Sequence, residues 1–558
     1  MPGGLYLMKS IISISFLLFF LSGQVPGYFS LNRFDSQIIN DEITYSGLNS
    51  NSIRHIRVGE DENIMFMATS GGLGFADTHD LNVNMRSFDA DSVLMPLGGN
   101  PGLAVKGLDM AVSGVVQVEA AGSVEPAGTG VSYSSDGGLT WGYKPQPVDP
   151  ADSPIIMEFE WGGQNISRLA VTTEINNVSY DLTIMGDYVY ATSWAGGLQR
   201  FRFKNIPPGE GGNDANPWQP IPLPMDSELE QICGEIPDGF ELNPRDPADG
   251  GSHNHKGFSV YAVEDTLWVG TAGGINKGIV SANGECIDWR HYNALQDGFT
   301  GNWVIGFNHQ ILEDESGQDF IRLWAITWST GGLESYGLSF TDDGGNTWNS
   351  VEQFEQLNLQ IFGIYSYEIN STESRVLIAS EFGLYITEDG LHWEKMSHPL
   401  ETSGEIIYSE SFFACSYQPT HNRIWVGTSD GVAYTSDLGI SWEVVRFWVP
   451  VVDVSDKDDR FYAYPNPFYS NSVNSFNGEN FARFVFHADA NANAKVSIFD
   501  FAMEKVIDLD QLVPADSDFE IHWNCRNDWG AKVANGVYFC RLDTGSDTYW
   551  TKLMVINN

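Results

Sequence analysis

Positive charge is what this chain lacks most: 29 Lys and Arg stand against 73 Asp and Glu in 558 residues, a formal charge of −44. A field of that sign repels phosphate backbones and anionic bilayers alike, which excludes nucleic acid as a partner. Cysteine is scarce, five in all, and no two are spaced as in a zinc site. After Leu21 no apolar run approaches the ~18 residues needed to cross a bilayer, so no transmembrane anchor is expected once a signal is removed. Helical periodicity is weak almost everywhere. The acidity reads first as solvated surface. Calcium is the one ion it would suit, yet dense Asp/Gly calcium loops are missing, and neither a cofactor nor a metal site is expected.

What is present begins with Lys9, the apolar run Ile11 to Leu21 and small or turn residues from Ser22 to Gly27. This is the pattern of a signal peptide, expected over residues 1–23. No cysteine follows the run, which argues against a lipid anchor. An exported chain permits disulfides, and the candidates are Cys525 with Cys540 and Cys233 with Cys286. Cys415, in the apolar strand Phe412 to Tyr417, is then a buried free thiol.

The strongest signal is internal repetition. A β-branched or aromatic run ending in small residues, a turn, and Gly plus an aliphatic residue recur as IMFMATSGGLGF from Ile64, LWVGTAGGINKG from Leu267 and IWVGTSDGVAYT from Ile424. The Gly steps fall at Gly72, Gly130, Gly197, Gly274, Gly337, Gly383 and Gly431, which makes seven units spaced 46 to 77 residues apart. A four-stranded sheet of this kind needs about 40 to 50 residues, and radial repetition of such sheets gives a β-propeller. The longer intervals must hold inserted loops.

Four units carry a second signature. SSDGGLTW (Asp136, Trp141), TDDGGNTW (Asp343, Trp348) and TSDLGISW (Asp437, Trp442) match Ser/Thr-x-Asp-x-Gly-x-Thr/Ser-Trp, and TEDGLHW (Asp389, Trp393) is one residue short. These resemble the Asp boxes, or BNR repeats, of sialidase-like propellers, while the WVGT-x-x-G pieces resemble the two-component-regulator type of repeat. The resemblance covers residues near 50 to 448 and implies a seven-bladed propeller over 30–448. Physically, the Asp accepts N–H bonds across a turn, the Gly takes a conformation closed to other residues, and the Trp fills space between sheets, so a structural role is expected for all eight.

An acidic linker is expected over 449–463. Beyond it, short alternating strands over 464–558 fit a small immunoglobulin-like β-sandwich, which makes the fold class all-β throughout. The order Tyr464-Pro465-Asn466-Pro467-Phe468, Ile498-Phe499-Asp500, Trp523, Asp528 to Gly530, Gly536 to Phe539 and Lys552 to Val555 looks like the C-terminal sorting domains of type IX secretion, and is similar to the flagellar hook-cap immunoglobulin-like module. Phe501-Ala502-Met503 departs from that family's Gly after the IFD strand. The resemblance implies the secretion machinery as a partner through residues 464–558, and an extracellular or outer-membrane surface location.

In propellers, ligands meet the central mouth, formed by the residues that precede each innermost strand and by the loops around it, and the candidates are Asn51, Lys106, Asn177, His253, His255, Trp303, Gln360 and Glu410. Trp194, Trp303 and Trp328 are the tryptophans least explained by packing. No catalytic residue can be nominated. The arginine set of a sialidase is missing its first motif, and Arg322, Arg375 and Arg423 share one repeat position that reads as structural. The expected function is a non-catalytic exported module that binds a polysaccharide or a surface protein. The alternatives are a secreted glycoside hydrolase of sialidase-like architecture and a purely structural surface component.

Overall fold

The computed structural model describes residues 44–557 apart from 47, 49, 80–82, 89–93, 121–122, 207–216, 315, 371–372, 402–406, 408, 446–459, 465, 471–480, 489–491 and 514–516. The expected signal peptide lies outside these residues, as does most of the expected linker; its last residues enter the strand Phe461–Tyr464. The described residues are almost all β, their α-helices being Ala294–Asp297 and Glu352–Leu357. Contacts divide the chain into a large unit, Gln37–Trp448 with a few later residues, and a smaller one built on Val449–Phe468 and Ala482–Ile556.

The large unit holds seven meandering sheets in chain order, of four or five strands each. Their innermost strands are Ile53–Val58, Leu103–Lys106, Ser179–Met185, Gly257–Val263, Trp303–Glu313, Ile361–Asn370 and Phe412–Gln418. Each inner strand packs against the next, and the seventh packs against the first. An additional three-stranded sheet, Ile156–Trp161, Gln164–Leu169 and Glu241–Leu242, comes from inserted loops. The architecture is a multi-sheet, propeller-type fold.

The repeated Gly marks the hairpin between the second and third strand of a sheet. Gly72, Gly274, Gly383 and Gly431 have φ of 127°, 136°, 111° and 113°, a region that a Cβ disfavours. In the same turns Thr69, Thr271, Ser380 and Thr428 donate their hydroxyls to the carbonyl of that Gly. The repeat is therefore a turn requirement written into sequence.

The Asp-x-Gly turns follow the third strand. Asp343 Oδ1 accepts from Thr347 N at 2.8 Å and Oδ2 from the Thr347 hydroxyl at 2.7 Å, while Thr341 Oγ1 accepts from Gly345 N at 2.8 Å. Asp136 and Asp437 repeat this pattern. In the shortened copy His392 replaces the hydroxyl, its Nδ1 lying 2.6 Å from Asp389 Oδ2. Desolvation opposes these carboxylates only in part; bonds from Thr140, Thr347 and His392 outweigh it and hold Asp136, Asp343 and Asp389 below the usual carboxylate range.

Each turn delivers a buried Trp to the preceding sheet. Trp348, of the fifth sheet, meets Trp268 and Tyr292 of the fourth at 6.0 and 5.9 Å between ring centroids. Trp393, of the sixth, meets Trp324 of the fifth at 5.8 Å. Trp141, of the second, meets Phe88 of the first at 5.4 Å, and Trp442, of the seventh, joins the cluster of Leu377 and Leu384. The arginines that share a repeat position brace the same region: Arg322 is bidentate to Asp342 at 2.6 and 2.8 Å, and Arg375 pairs with Glu388 at 2.6 Å. Cys233 and Cys286 are joined in a disulfide.

In the small unit a three-stranded and a five-stranded sheet share one apolar cluster that includes Phe484, Trp523, Ile498, Leu542 and Leu553. The expected Cys525–Cys540 bridge is corrected here: both are free thiols inside this cluster. Cys540 sits mid-strand, opposite Thr551 and Ile498, whereas Cys525 lies past the end of its strand with φ +54° and its carbonyl held by Val533 N. Burial raises both thiols, Cys525 to about 12.

The wedge tryptophans should outweigh the turns that carry them. Trp348→Ala is expected to cost about 3–5 kcal/mol in urea unfolding, and Asp343→Ala about 1 kcal/mol through the lost bonds to the exposed Thr347. Equal costs would reject the wedge.

Candidate binding site

One cavity, of about 380 Å³, is lined by residues from all seven inner strands. Its geometry begins with a shared irregularity. Six of the seven inner strands carry a bulge one or two residues from their start, between Ile53 and His55, Ser179 and Asp181, Gly257 and Ser259, Val304 and Gly306, Ile361 and Gly363, and Phe412 and Ala414. A bulge leaves one residue outside the ladder and re-aims its side chain. The bulged residues are Arg54, Tyr180, Phe258, Ile305, Phe362 and Phe413, and all but Phe258 line the cavity.

These residues and their neighbours form an aromatic collar. Phe258 lies 6.4 Å from Tyr180 and 5.4 Å from both Trp194 and Trp303 between ring centroids. Phe362 lies 5.2 Å from Phe413 and 5.8 Å from Trp328. Two cations cap it: the Arg54 guanidinium stands 4.2 Å over Phe413, and Lys256 Nζ 5.0 Å over Trp194. The rings are half-buried, so each keeps a face that burial has not consumed.

Past the collar the lining turns polar. His55 Nε2 donates to Pro101 O at 2.7 Å, which fixes the proton on that nitrogen; burial, aided by Arg57, pushes its pKa down to about 3. Asp181 accepts from Val260 N at 3.0 Å and Leu182 N at 2.9 Å, and burial pushes it up to about 6 against those bonds. Burial likewise raises Tyr261 to about 12, Cys415 to about 12, and Tyr365. Arg54 is open to solvent yet enclosed by the walls, whose desolvation lowers it. Among the described lining residues three cations, Arg54, Arg57 and Lys106, thus stand against one carboxylate, Asp181.

Of the residues singled out from sequence, Trp303 joins the collar and Lys106 lines the cavity. Lys106 ends its inner strand, with Nζ 3.4 Å from Ile184 O, away from the collar. His253 is half-buried beside Lys256 Nζ at 3.1 Å. Glu410 is exposed, and Gln360 is half-buried with its backbone N–H on Glu381. Asn51, Asn177 and His255 are buried in the scaffold. Asn177 bridges Pro147 O and the Ser193 hydroxyl, His255 is held by Leu223 O and Asn243, and the Asn51 carbonyl takes Gly431 N. The histidine pair is thereby split between two environments, and among the described residues no three His, Cys, Asp or Glu side chains gather as a metal site would require. Missed by sequence reasoning were Tyr180, Phe258, Phe362 and Phe413; their common offset behind the first core residue of each inner strand is the signal that finds them.

No family model matches the chain, and no curated protein does. Among solved structures, PorZ, a bacterial surface component of the type-IX secretion system of Porphyromonas gingivalis, is 13% identical over 90% of this chain and 81% of that one, with a TM-score of 0.22. The extracellular domain of a putative hybrid two-component system from B. thetaiotaomicron is 10% identical over 91% and 73%, with a TM-score of 0.33. The WD40 propeller domain of Doa1 is 9% identical over 71% and 96%, with a TM-score of 0.32. No helix among the described residues is long and apolar enough to cross a membrane.

Asp181 gives the site a testable pH dependence. With its pKa raised above the ordinary 3.8 to about 6, the folded state holds a proton that the unfolded chain has lost between those values, so this group's contribution to stability falls as pH rises through that window. Asp181→Asn is expected to gain on the wild type by about 2 kcal/mol in urea unfolding between pH 4 and pH 7, the residual solvent access of this half-buried residue trimming the full linkage value. Parallel curves would reject the burial of this carboxyl.

Proposed function

We propose that this chain is an exported surface protein whose large unit is a closed seven-bladed β-propeller acting as a binding module for a polysaccharide or a surface protein. The observation that carries the reading is the half-buried aromatic collar around a cavity lined by all seven inner strands. Exposed aromatic faces supply contact area at low entropic cost, and the rigid ring of strands holds them in place. In this reading residues 1–23 are the signal peptide, 30–448 the propeller with four Asp-box turns, 449–463 a linker, and 464–558 an immunoglobulin-like sandwich that serves as a type IX sorting domain. The pairing of two sheets over one apolar cluster in the small unit supports that last assignment.

Binding is favoured over hydrolysis at this site by its chemistry. A glycosidase of the usual kind sets two carboxyl groups across the scissile bond, and the described lining offers Asp181 alone, already bonded to two backbone N–H groups. The expected outcome with the purified full chain and a panel of polysaccharides and surface proteins is retention without reducing-end release, weakened about tenfold or more by Trp303→Ala. Release abolished by a single acidic substitution would convert the reading to an enzyme; no retention of any kind would reject the module. For export, deletion of Tyr464 to Asn558 is expected to trap the protein in the periplasm of a type IX secreting host, and unchanged release would reject the sorting role.

A further inference from the structure

The chain's charge is distributed in a way its composition conceals. Against 73 acids and 29 bases overall, the described cavity lining carries Arg54, Arg57 and Lys106 with Asp181 as their single carboxylate neighbour. Arg57 stands three residues beyond Arg54 on the first inner strand, roughly 10 Å deeper at the rise of an extended chain. Among the described residues it makes no ion pair; its Nη1 donates to the carbonyl of its own neighbour, Ile56, at 3.0 Å. The groups around it are His55, Asp181, Tyr261, Tyr365 and Cys415, and apart from Asp181 they are uncharged at neutral pH. A guanidinium with that much unused donor capacity, enclosed by protein, is a receptor for a carboxylate.

Above it the collar is Phe, Ile, Tyr and Trp, poor in donors and acceptors. Trp328 spends its indole N–H on Ile361 O at 2.8 Å. Sugar hydroxyls would find few partners there, whereas an apolar side chain fits. A polyanionic polysaccharide would also have to run across an outer surface of strongly negative charge, while a single anion inside the cavity feels chiefly the charges within a Debye length of ~8 Å. Resting on the reading of this cavity as the binding site, we infer that it takes the C-terminal end of a partner polypeptide: apolar side chains against the collar and the terminal carboxylate on the Arg57 guanidinium. Three residues of extended chain span the separation between the two levels.

The probe is N-acetyl-Phe-Ala-Ala as the free acid and as its C-terminal amide, titrated into the full chain and followed by tryptophan fluorescence and NMR. The expected result is binding of the acid at least about tenfold tighter than the amide, a preference abolished by Arg57→Gln and partly restored by Arg57→Lys. Trp303→Ala should weaken acid and amide alike and leave their ratio unchanged. Equal affinity for the two forms, or no binding of the acid up to about 10 mM, overturns the inference; so does preference for glucuronate oligomers, which would give the site to acidic sugars. The acid–amide comparison is made on the unmodified protein and so does not depend on a variant that folds. Retention of a polysaccharide or surface protein by the collar, with no acid preference, would reject this inference and leave the binding module standing.

Discussion

Seven meandering sheets turn seven inner edges toward one another, and an inner edge is a row of backbone N–H and C=O groups with no strand to pair them. The large unit depends on how those groups are satisfied. Here the answer is a relay of side chains, each reaching to the next strand. His55 donates to Pro101 O, Lys106 to Ile184 O, Ser259 to Val304 O at 2.8 Å and Asn308 to Ile364 O at 3.5 Å. Asp181 and Thr183 accept from Val260 N and Ala262 N. Each bond contributes only about 1 kcal/mol net, but without it a main-chain group would be enclosed with no partner. Between the seventh sheet and the first, Gln418 Nε2 donates to Glu62 O and the Thr78 hydroxyl, both at 2.7 Å, across more than 300 residues of sequence.

That relay explains why the lining is polar at depth and apolar at its entrance. The side chains at the bulges sit outside the ladder, so the collar is free to be aromatic. The residues that follow return to the ladder and spend their polar atoms on the neighbouring strand. Asp181 shows the cost of this arrangement: two backbone donors hold it, yet its enclosure still raises its pKa. Between the sheets, farther out, the adhesive is different. Wedge tryptophans such as Trp348 and Trp393 join one sheet to the one before it through edge-on ring contacts.

The sheets were legible because each is short and punctuated. Gly72, Gly274, Gly383 and Gly431 need positive φ, and Asp136, Asp343 and Asp437 need a turn that closes on their own carboxylates. Such requirements are local, so they leave the same letters in every repeat. The site was less legible, for a geometric reason. Period-two reading assigns alternate residues to alternate faces, and a bulge breaks that alternation at the position where the collar forms. Tyr180, Phe258 and Phe413 therefore read as ordinary strand residues. Asn177 and His255 do precede inner strands, but both are buried and their hydrogen bonds tie down the loops there. The pairing of Cys525 with Cys540 was read from strand proximity alone, and the bend at Cys525 lies outside what spacing encodes.

Net charge and local charge also answer different questions. A surplus of 73 acids over 29 bases opposes close approach to anionic surfaces, and for that purpose the acids need only be exposed. The cations are few enough that their placement carries information. Arg200, Arg322 and Arg375 are consumed by rings and carboxylates between strands, whereas Arg54 and Arg57 share one inner strand and face the cavity. On the proposed reading, the net negative charge of the chain around a cationic lining would turn away long polyanions while admitting a single negative group past the apolar collar. Selectivity of that kind comes from the contrast between the two regions, and substitutions on the outer surface would tune it without touching the collar.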